Sequence, residues 1–110
     1  MATFTLSIIT PDGHVFEGQA SSLVAPGEEG YIGILADHAP MVCSLKPGVL
    51  TLKDAEDKTS LFAVGEGVLE VQNNLVSLLA DCAYEVGSEE DAHKRVKEIL
   101  PTPEEKVASE

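Results

Sequence analysis

The stretch Gly30–Gly48, which reads GYIGILADHAPMVCSLKPG, decides the fold of this chain. Two glycines bracket Tyr31 and Ile32, and an apolar run leads into the polar cluster Asp37–Pro40. Proline and small polar residues interrupt a strand, and a second apolar run then ends at Pro47–Gly48, another turn signal. The pattern predicts two β-strands joined by a shaped polar corner, which is the first place to look for a functional site.

On the N-terminal side of this stretch, apolar and polar residues alternate in short runs. Thr3–Thr10 has a period of two, which is typical of a half-buried strand. Pro11–Gly13 predicts a turn, because proline presets φ and glycine accepts a positive φ, and a return strand should then end near Ala20. Leu23–Ala25 is predicted to be a further, short strand.

On the C-terminal side, turn residues separate four more apolar runs. These predicted strands are Val49–Leu52, Ser60–Val64, Val68–Val71 and Leu75–Ala80. Short strands with turn signals about every 8 to 12 residues are typical of all-β sandwiches and barrels. We therefore expect a mainly β sandwich domain over residues 1–86.

A helical pattern begins at Ser88, which is a typical N-cap residue. Three acidic residues follow where the helix dipole favours anions, and the later apolar residues recur at helical spacing. One helix is predicted over Glu89–Leu100, ended by Pro101 and Pro103. Residues 87–110 are thus expected to form a short C-terminal helical segment and tail.

Composition excludes several classes of protein. The chain has 110 residues, the size of one domain, and its formal net charge of -12 opposes binding to nucleic acid and to anionic lipid. It has no apolar run of about 18 residues and no basic signal region, so we expect a soluble, cytoplasmic protein. Cys43 and Cys82 are predicted to be small buried hydrophobes rather than a disulfide or a reactive thiol.

The residues supply no complete catalytic motif. His38 beside Asp37 would need a nucleophile or a set of metal ligands, and Gly65–Gly67 lacks the third glycine and the strand-to-helix context of a dinucleotide site. We therefore predict no catalytic, cofactor-binding or metal-binding residue and an interaction module. Two other interpretations stay open: a hydrolase with two carboxylates in a cleft, and a free-standing domain that binds a peptide or small ligand.

Four parts of the chain together resemble one known family: Gly30–Pro40, Leu45–Gly48, Ala63–Val71 and Val76–Ala83. The pattern Gly-x-x-Gly-Ile-x-x-x-His-Ala-Pro with a downstream Pro-Gly is specific, and the later blocks follow in the correct order. Over about residues 3 to 100, the chain resembles the epsilon-subunit family of the F-type ATP synthase.

The resemblance implies a ten-stranded β-sandwich followed by a C-terminal helical region, with no active site and no cofactor. Such a subunit belongs to the rotor: it binds the gamma subunit in the central stalk, rests on the ring of c subunits and helps couple proton translocation to ATP synthesis. The alpha and beta subunits are further possible partners. The expected location is the cytoplasmic face of the inner (plasma) membrane, peripherally and without insertion into the bilayer.

The resemblance also implies two contact sites on the sandwich. The residues expected to contact the c-ring are Glu29, Tyr31, Asp37 and His38. The residues expected to contact gamma are Ser7, Ile9, Asp12, Leu79 and Asp81. Family members often carry an acid at the position of Tyr31, so the ring contact is either ionic or aromatic here.

The C-terminal part departs from the family pattern. Family members usually end in two long helices that can inhibit ATP hydrolysis, whereas this sequence stops soon after one helix. Those that bind ATP carry Asp-x-x-Arg-Ala at the start of the first helix, and this chain has Glu90–Lys94 there, without the arginine. We expect inhibition by an extended hairpin to be absent and ATP binding to be weak or absent.

Overall fold

The computed structural model describes residues 2–100, which form nine β-strands and one α-helix. The elements are β1 (Phe4–Thr10), β2 (Gly13–Gly27), β3 (Gly30–Leu35), β4 (Met41–Leu45), β5 (Gly48–Asp54), β6 (Thr59–Val64), β7 (Gly67–Gln72), β8 (Leu75–Ala80), β9 (Ala83–Val86) and α1 (Glu89–Ile99). The prediction of a mainly β fold with one C-terminal helix is confirmed.

The strands form two layers that share β2. Their hydrogen-bonded order is β1-β8-β7-β4-β2-β5-β6-β9, β3 pairs with β2, and β1 also pairs with β2. One layer therefore holds β1, β8, β7 and β4 with the first half of β2. The other layer holds the second half of β2 with β3, β5, β6 and β9.

The strand count differs from the ten that the resemblance implied, and β2 is a single strand of 15 residues where two were predicted. Its first half pairs with β1, where Phe4 lies opposite Ala20, and its second half pairs with β3 and β5. The register with β5 shifts between Ala20 and Ser22, and the Ser21 hydroxyl donates a hydrogen bond to the Asp54 carbonyl oxygen (3.1 Å). An irregularity of this kind bends a strand without ending it. The two strands predicted on either side of Ser21 are one, and β9 was not predicted, so the described part of the chain has nine strands where the resemblance implied ten.

Aliphatic side chains fill the space between the layers. Alternate residues of β1, Phe4, Leu6 and Ile8, are almost completely buried, as the period of two predicts. The Phe16 and Phe62 rings meet edge to face, with 6.5 Å between their centroids. Among the described residues no polar or charged side chain is buried, so the core itself offers no polar site.

The helix packs on β5 and β6, and Ala63 of β6 and Ala92 of the helix are buried without belonging to the main core cluster, which places the helix on the outer face of these strands. Ser88 caps it as predicted, because its Oγ accepts a hydrogen bond (3.1 Å) from a backbone N–H of the first turn. Ala92 is buried, and the Arg95 guanidinium lies 4.5 Å from the centroid of the Tyr84 ring on β9. The helix ends at Ile99, one residue before its predicted end.

The boundary between the sandwich and the helix falls between Val86, where β9 ends, and Glu89, where α1 begins. Within residues 2–100, no helix is long and apolar enough to cross a membrane. Pro101 and Pro103, which were predicted to end the helix, and the tail that follows lie outside the described residues.

Candidate interaction surfaces

The corner stretch has two ends, and the first is the tight turn between β2 and β3. Only Glu28 and Glu29 separate the paired ends of these strands, and both are exposed. Gly30 follows with φ at 138°, a conformation that favours glycine. The Glu28 N–H donates to the Ser44 carbonyl oxygen (3.0 Å), which fastens the turn to β4. Tyr31 comes next and is 59% exposed, so the first end presents two carboxylates and one aromatic ring.

The second end of the corner stretch lies beyond β3. Asp37 has φ at 62°, and its N–H donates to the Asn74 side-chain oxygen (2.8 Å). The His38 Nδ1 lies 2.8 Å from the carbonyl oxygen of the next residue, so neighbouring backbone holds the ring. The six residues of β3 put about 17 Å between its ends. The structure thus brings Glu29 and Tyr31 together, and Asp37 and His38 together, but separates the two pairs.

Asn74 links three segments of the chain. It lies in the β7–β8 turn beside Asn73, with φ at 61° and 51° respectively. Its Nδ2 donates to the Thr3 carbonyl oxygen (2.8 Å), and its Oδ1 accepts from the Asp37 N–H. We call this arrangement of Asn74, Thr3 and Asp37 the Asn74 clasp. Its partners are 71 and 37 residues away in sequence, so local sequence patterns give no signal for it.

The residues expected to contact gamma converge on one side of the sandwich. Ser7 and Ile9 lie on β1, and Ile9 lies beside Leu79 on the neighbouring parallel strand β8. Val68 of β7 lies opposite Leu79 from the other side. Leu79 and Val68 are 51% and 41% exposed. We call Ile9, Leu79 and Val68 the apolar row; Val68 was missed, although its alternation with the buried residues of β7 could have identified it.

Acidic residues border one end of the apolar row. Asp12 lies in the β1–β2 turn, and the Asp81 N–H donates to the Glu66 carbonyl oxygen (2.9 Å), which places these two acids side by side. A shallow groove of about 380 Å³ passes between Pro11, Leu79 and these last two acids. An apolar centre with an acidic border suits a protein partner with an apolar patch and basic residues around it.

The two cysteines are free and partly buried. Burial raises the pKa of the Cys43 thiol. Burial also raises the pKa of the Cys82 thiol, and the Asp81 carboxylate raises it further, against a lowering contribution from the Gly65 N–H. Both thiols are therefore protonated at neutral pH, unlike the activated thiols of catalytic sites. Across residues 2–100, no three His, Cys, Asp or Glu side chains converge in a way that could hold a metal ion.

Comparison with known proteins identifies the family. The family model described as the beta-sandwich domain of the ATP synthase delta/epsilon chain matches residues 3–86. The chain belongs to this family. The resemblance found in the sequence is confirmed, and so is the β-sandwich fold.

Two curated relatives are similar to this member of the delta/epsilon family. The ATP synthase epsilon chain 1 of Methylococcus capsulatus is 43% identical over 81 residues, which cover 74% of this chain and 58% of the relative. The ATP synthase epsilon chain of Moorella thermoacetica is 42% identical over 83 residues, which cover 76% of this chain and 62% of the relative. The chain therefore spans less than two thirds of the length of these relatives.

Two solved structures share the fold. One is a chain in the cryo-EM structure of the Euglena gracilis mitochondrial ATP synthase, with OSCP, F1 and c-ring in rotational state 1. It matches with a TM-score of 0.76 at 20% identity, and the match covers 98% of this chain and 73% of that chain. A chain in the central stalk and c-ring structure of the Tetrahymena thermophila mitochondrial ATP synthase matches with a TM-score of 0.67 at 16% identity, over 96% and 84%. At these identities the likeness establishes the fold alone.

Proposed function

We propose that this delta/epsilon family member is a non-catalytic rotor subunit of an ATP synthase, where it links the gamma subunit to the ring of c subunits and couples proton translocation to ATP synthesis. The observation that carries the proposal is the apolar row with its acidic border. An aliphatic surface across three neighbouring strands, in a family whose relatives are epsilon chains, is the expected form of a contact with another subunit. The proposal gives the chain no active site and no cofactor of its own.

Gamma is the proposed partner of the apolar row, together with Ser7, Asp12 and Asp81. Leu79 leaves about half of its side chain in water, and covering that half would stabilise a complex by about 1 kcal/mol. The acids at the border would add attraction to basic residues on gamma and would speed the encounter. An apolar centre that excludes water inside a charged border is the usual arrangement of a lasting contact.

The turn end of the corner stretch is the proposed contact with the c-ring. Glu29 and Tyr31 lie at the same turn, whereas a contact that also included Asp37 and His38 would have to follow the whole of β3. The proposal therefore assigns the ring to the first pair and keeps the second pair as the alternative. Alpha and beta remain possible further partners, and the assembly would lie at the cytoplasmic face of the inner (plasma) membrane.

Weak or absent ATP binding is part of the same proposal. Arg95 lies over the Tyr84 ring, and its guanidinium is 3.3 Å from the Glu98 carboxylate, so this cation already has partners. The cleft beside it, of about 240 Å³, is lined by Lys94 as well as by the Asp91 and Glu98 carboxylates, so its lining has no net positive charge to attract phosphate. Calorimetric titration with magnesium ATP should show no saturable binding. The expected absence of hairpin inhibition falls on residues after 100, outside the described part, and stays a prediction.

Co-purification with the gamma subunit of the same ATP synthase tests the proposed role. The wild-type chain should form a stable complex, and Leu79→Asp should weaken it by at least about tenfold, because a charge would be buried without a partner. Val24→Asp is the matched control, since Val24 is 39% exposed on the outer face of the other layer. If gamma does not retain the chain while the other subunits assemble, the rotor role is wrong. If Leu79→Asp binds as well as Val24→Asp, gamma contacts a different surface.

Coupling measurements test the ring contact separately. The double variant Glu29→Ala with Tyr31→Ala should lower ATP synthesis per proton translocated in membrane vesicles, while complexes with gamma stay intact. The double variant Asp37→Ala with His38→Ala is the comparison from the other end of β3. If only this second variant lowers coupling, the ring contact lies at the far end; if neither does, the contact lies elsewhere on the chain.

A further inference from the structure

Two incompletely paired strand edges face each other across an open groove. β4 pairs with β7 along its length, but on its other side only Leu45 meets β2. β3 pairs with β2, and the described strands provide no partner for its second edge. Between these edges lies a groove of about 720 Å³, lined by residues 28–32 of the turn and β3 and by residues 41–44 of β4. We call it the edge groove.

The backbone of β4 directs unpaired groups into the edge groove. The Ser44 carbonyl oxygen accepts from the Glu28 N–H on the side away from β7. In antiparallel strands, alternate residues direct their backbone groups to the same side. The N–H and C=O of Val42 and the N–H of Ser44 therefore point into the groove, where the described pairings give them no partner. Such an edge is a template for one more strand.

Exposed apolar side chains stand on the same two strands. The three most exposed large apolar residues of the described chain are Val42 (66%), Leu35 (64%) and Tyr31 (59%), on β4 and β3. Ile32 and Met41 are partly buried, and they join the groove to the core. Of these three residues Val42 and Tyr31 line the groove, so a strand bound here would cover part of their apolar surface as well as gain backbone hydrogen bonds.

The charges around the edge groove favour a positively charged partner. Glu28 and Glu29 line one end of the edge groove, and its described lining contains no lysine or arginine. A second copy of this chain would bring a net charge of -12 against the same charge, which opposes pairing between two copies. An extended segment that carries lysine or arginine has both the backbone groups and the charge that the groove lacks.

We propose that the edge groove binds an extended, basic segment of a partner polypeptide, which adds to β4 as a further β-strand and places a cationic side chain beside Glu28 and Glu29. This goes beyond the proposed rotor role, because strand addition at β4 depends on the groove of this chain and not on its place in an ATP synthase. The groove shares Glu29 and Tyr31 with the proposed ring contact, so the test uses the isolated chain and synthetic peptides, and its outcome does not depend on ATP synthase assembly.

The probe is a capped octapeptide of alternating valine and lysine, with two controls of the same length: one in which glutamate replaces lysine, and one with proline at alternate positions, which cannot form a strand. Calorimetry should show saturable binding of the lysine peptide alone. Val42→Lys should weaken this binding by at least about tenfold, because an edge lysine blocks strand addition and repels the cationic peptide. Leu75→Lys is the matched control, since Leu75 is 54% exposed at the start of β8, outside the groove.

Amide hydrogen exchange locates the bound peptide. On saturation with the lysine peptide, the N–H groups of Val42 and Ser44 should exchange at least about tenfold more slowly, while that of Ser77 on β8 should not change. Absence of binding to the lysine peptide, equal binding of the glutamate peptide, or equal loss in Val42→Lys and Leu75→Lys would each overturn the proposal. Sedimentation that shows dimers of the free chain, abolished by Val42→Lys, would assign the groove to a second copy instead.

Discussion

Removal of the Asn74 side chain should destabilise the sandwich even though its position in a turn suggests tolerance. Asn74→Ala deletes a hydrogen bond to the Thr3 carbonyl oxygen and another from the Asp37 N–H, both 2.8 Å long. Each contributes about 1 kcal/mol to the free energy of unfolding. Alanine at φ of 61° costs about 1 kcal/mol more, because the left-handed conformation is unfavourable for it. The expected loss is about 3 kcal/mol, a large part of the roughly 5–15 kcal/mol that stabilises a small domain.

Two further variants separate these contributions. Asn74→Gly removes the same hydrogen bonds but accepts the left-handed φ, so it should lose about 1 kcal/mol less than Asn74→Ala. Asn73→Gly is the control, since Asn73 has φ at 51° in the same turn and is exposed, and it should stay within about 0.5 kcal/mol of wild type.

Urea denaturation followed by circular dichroism gives these free energies directly, and the melting temperature of Asn74→Ala should fall by about 10 °C or more. The Asp37 amide should also exchange faster in both Asn74 variants, because its acceptor is gone. The reasoning is refuted if Asn74→Ala lies within about 0.5 kcal/mol of wild type. It is also refuted if Asn73→Gly costs as much as Asn74→Gly, since the effect would then belong to the turn backbone rather than to the clasp.

Two other substitutions test the local geometry. Gly67→Ala should lower the free energy of unfolding in urea by about 3 kcal/mol, because a Cβ there would overlap a backbone carbonyl of the facing strand β8. Gly33→Ala is the control: open space surrounds Gly33, so the loss should be under about 1 kcal/mol. Similar losses in both variants would contradict this account of the packing. Asp81→Asn should lower the pKa of the Cys82 thiol by removing a nearby negative charge, so this thiol should react faster with a disulfide reagent at pH 8. Cys43 serves as the unchanged internal reference, and an unchanged Cys82 rate would show that Asp81 does not contribute to the raised pKa.

Local patterns in the sequence predict the elements well and their partners poorly. The alternation of Phe4, Leu6 and Ile8 predicts both the strand and its buried face, and Ser88 predicts the start of the helix, because these features depend on neighbouring residues. β2 continues through Ser21, where the strand pairs with distant segments and the Ser21 hydroxyl bonds to a carbonyl 33 residues away, and no local pattern reports such partners.

The separation of the two ends of the corner stretch could have been predicted from the sequence. The sequence predicted a strand between Gly30 and the polar cluster, and a strand of about six residues separates its ends by about 17 Å, so Tyr31 and His38 could not share one compact contact. What the sequence could not show is which neighbours each end meets. The turn at Glu28 is held by Ser44, and the far end by Asn74, through pairings that only the folded chain creates.

In the proposed rotor role, the continuous strand β2 could transmit force between the proposed ring contact and the proposed gamma contact. The turn proposed to meet the ring closes the C-terminal end of β2, and the N-terminal half of the same strand pairs with β1, which carries Ile9 of the apolar row. A force applied at Glu29 would therefore reach the proposed gamma surface along one covalent strand, supported by pairing with β1, β3 and β5. A closely packed apolar interior resists compression and transmits strain. The one strand that the two layers share would thus connect the two proposed surfaces directly, and its irregularities at Ser21 and Val15 are the points where that connection could bend.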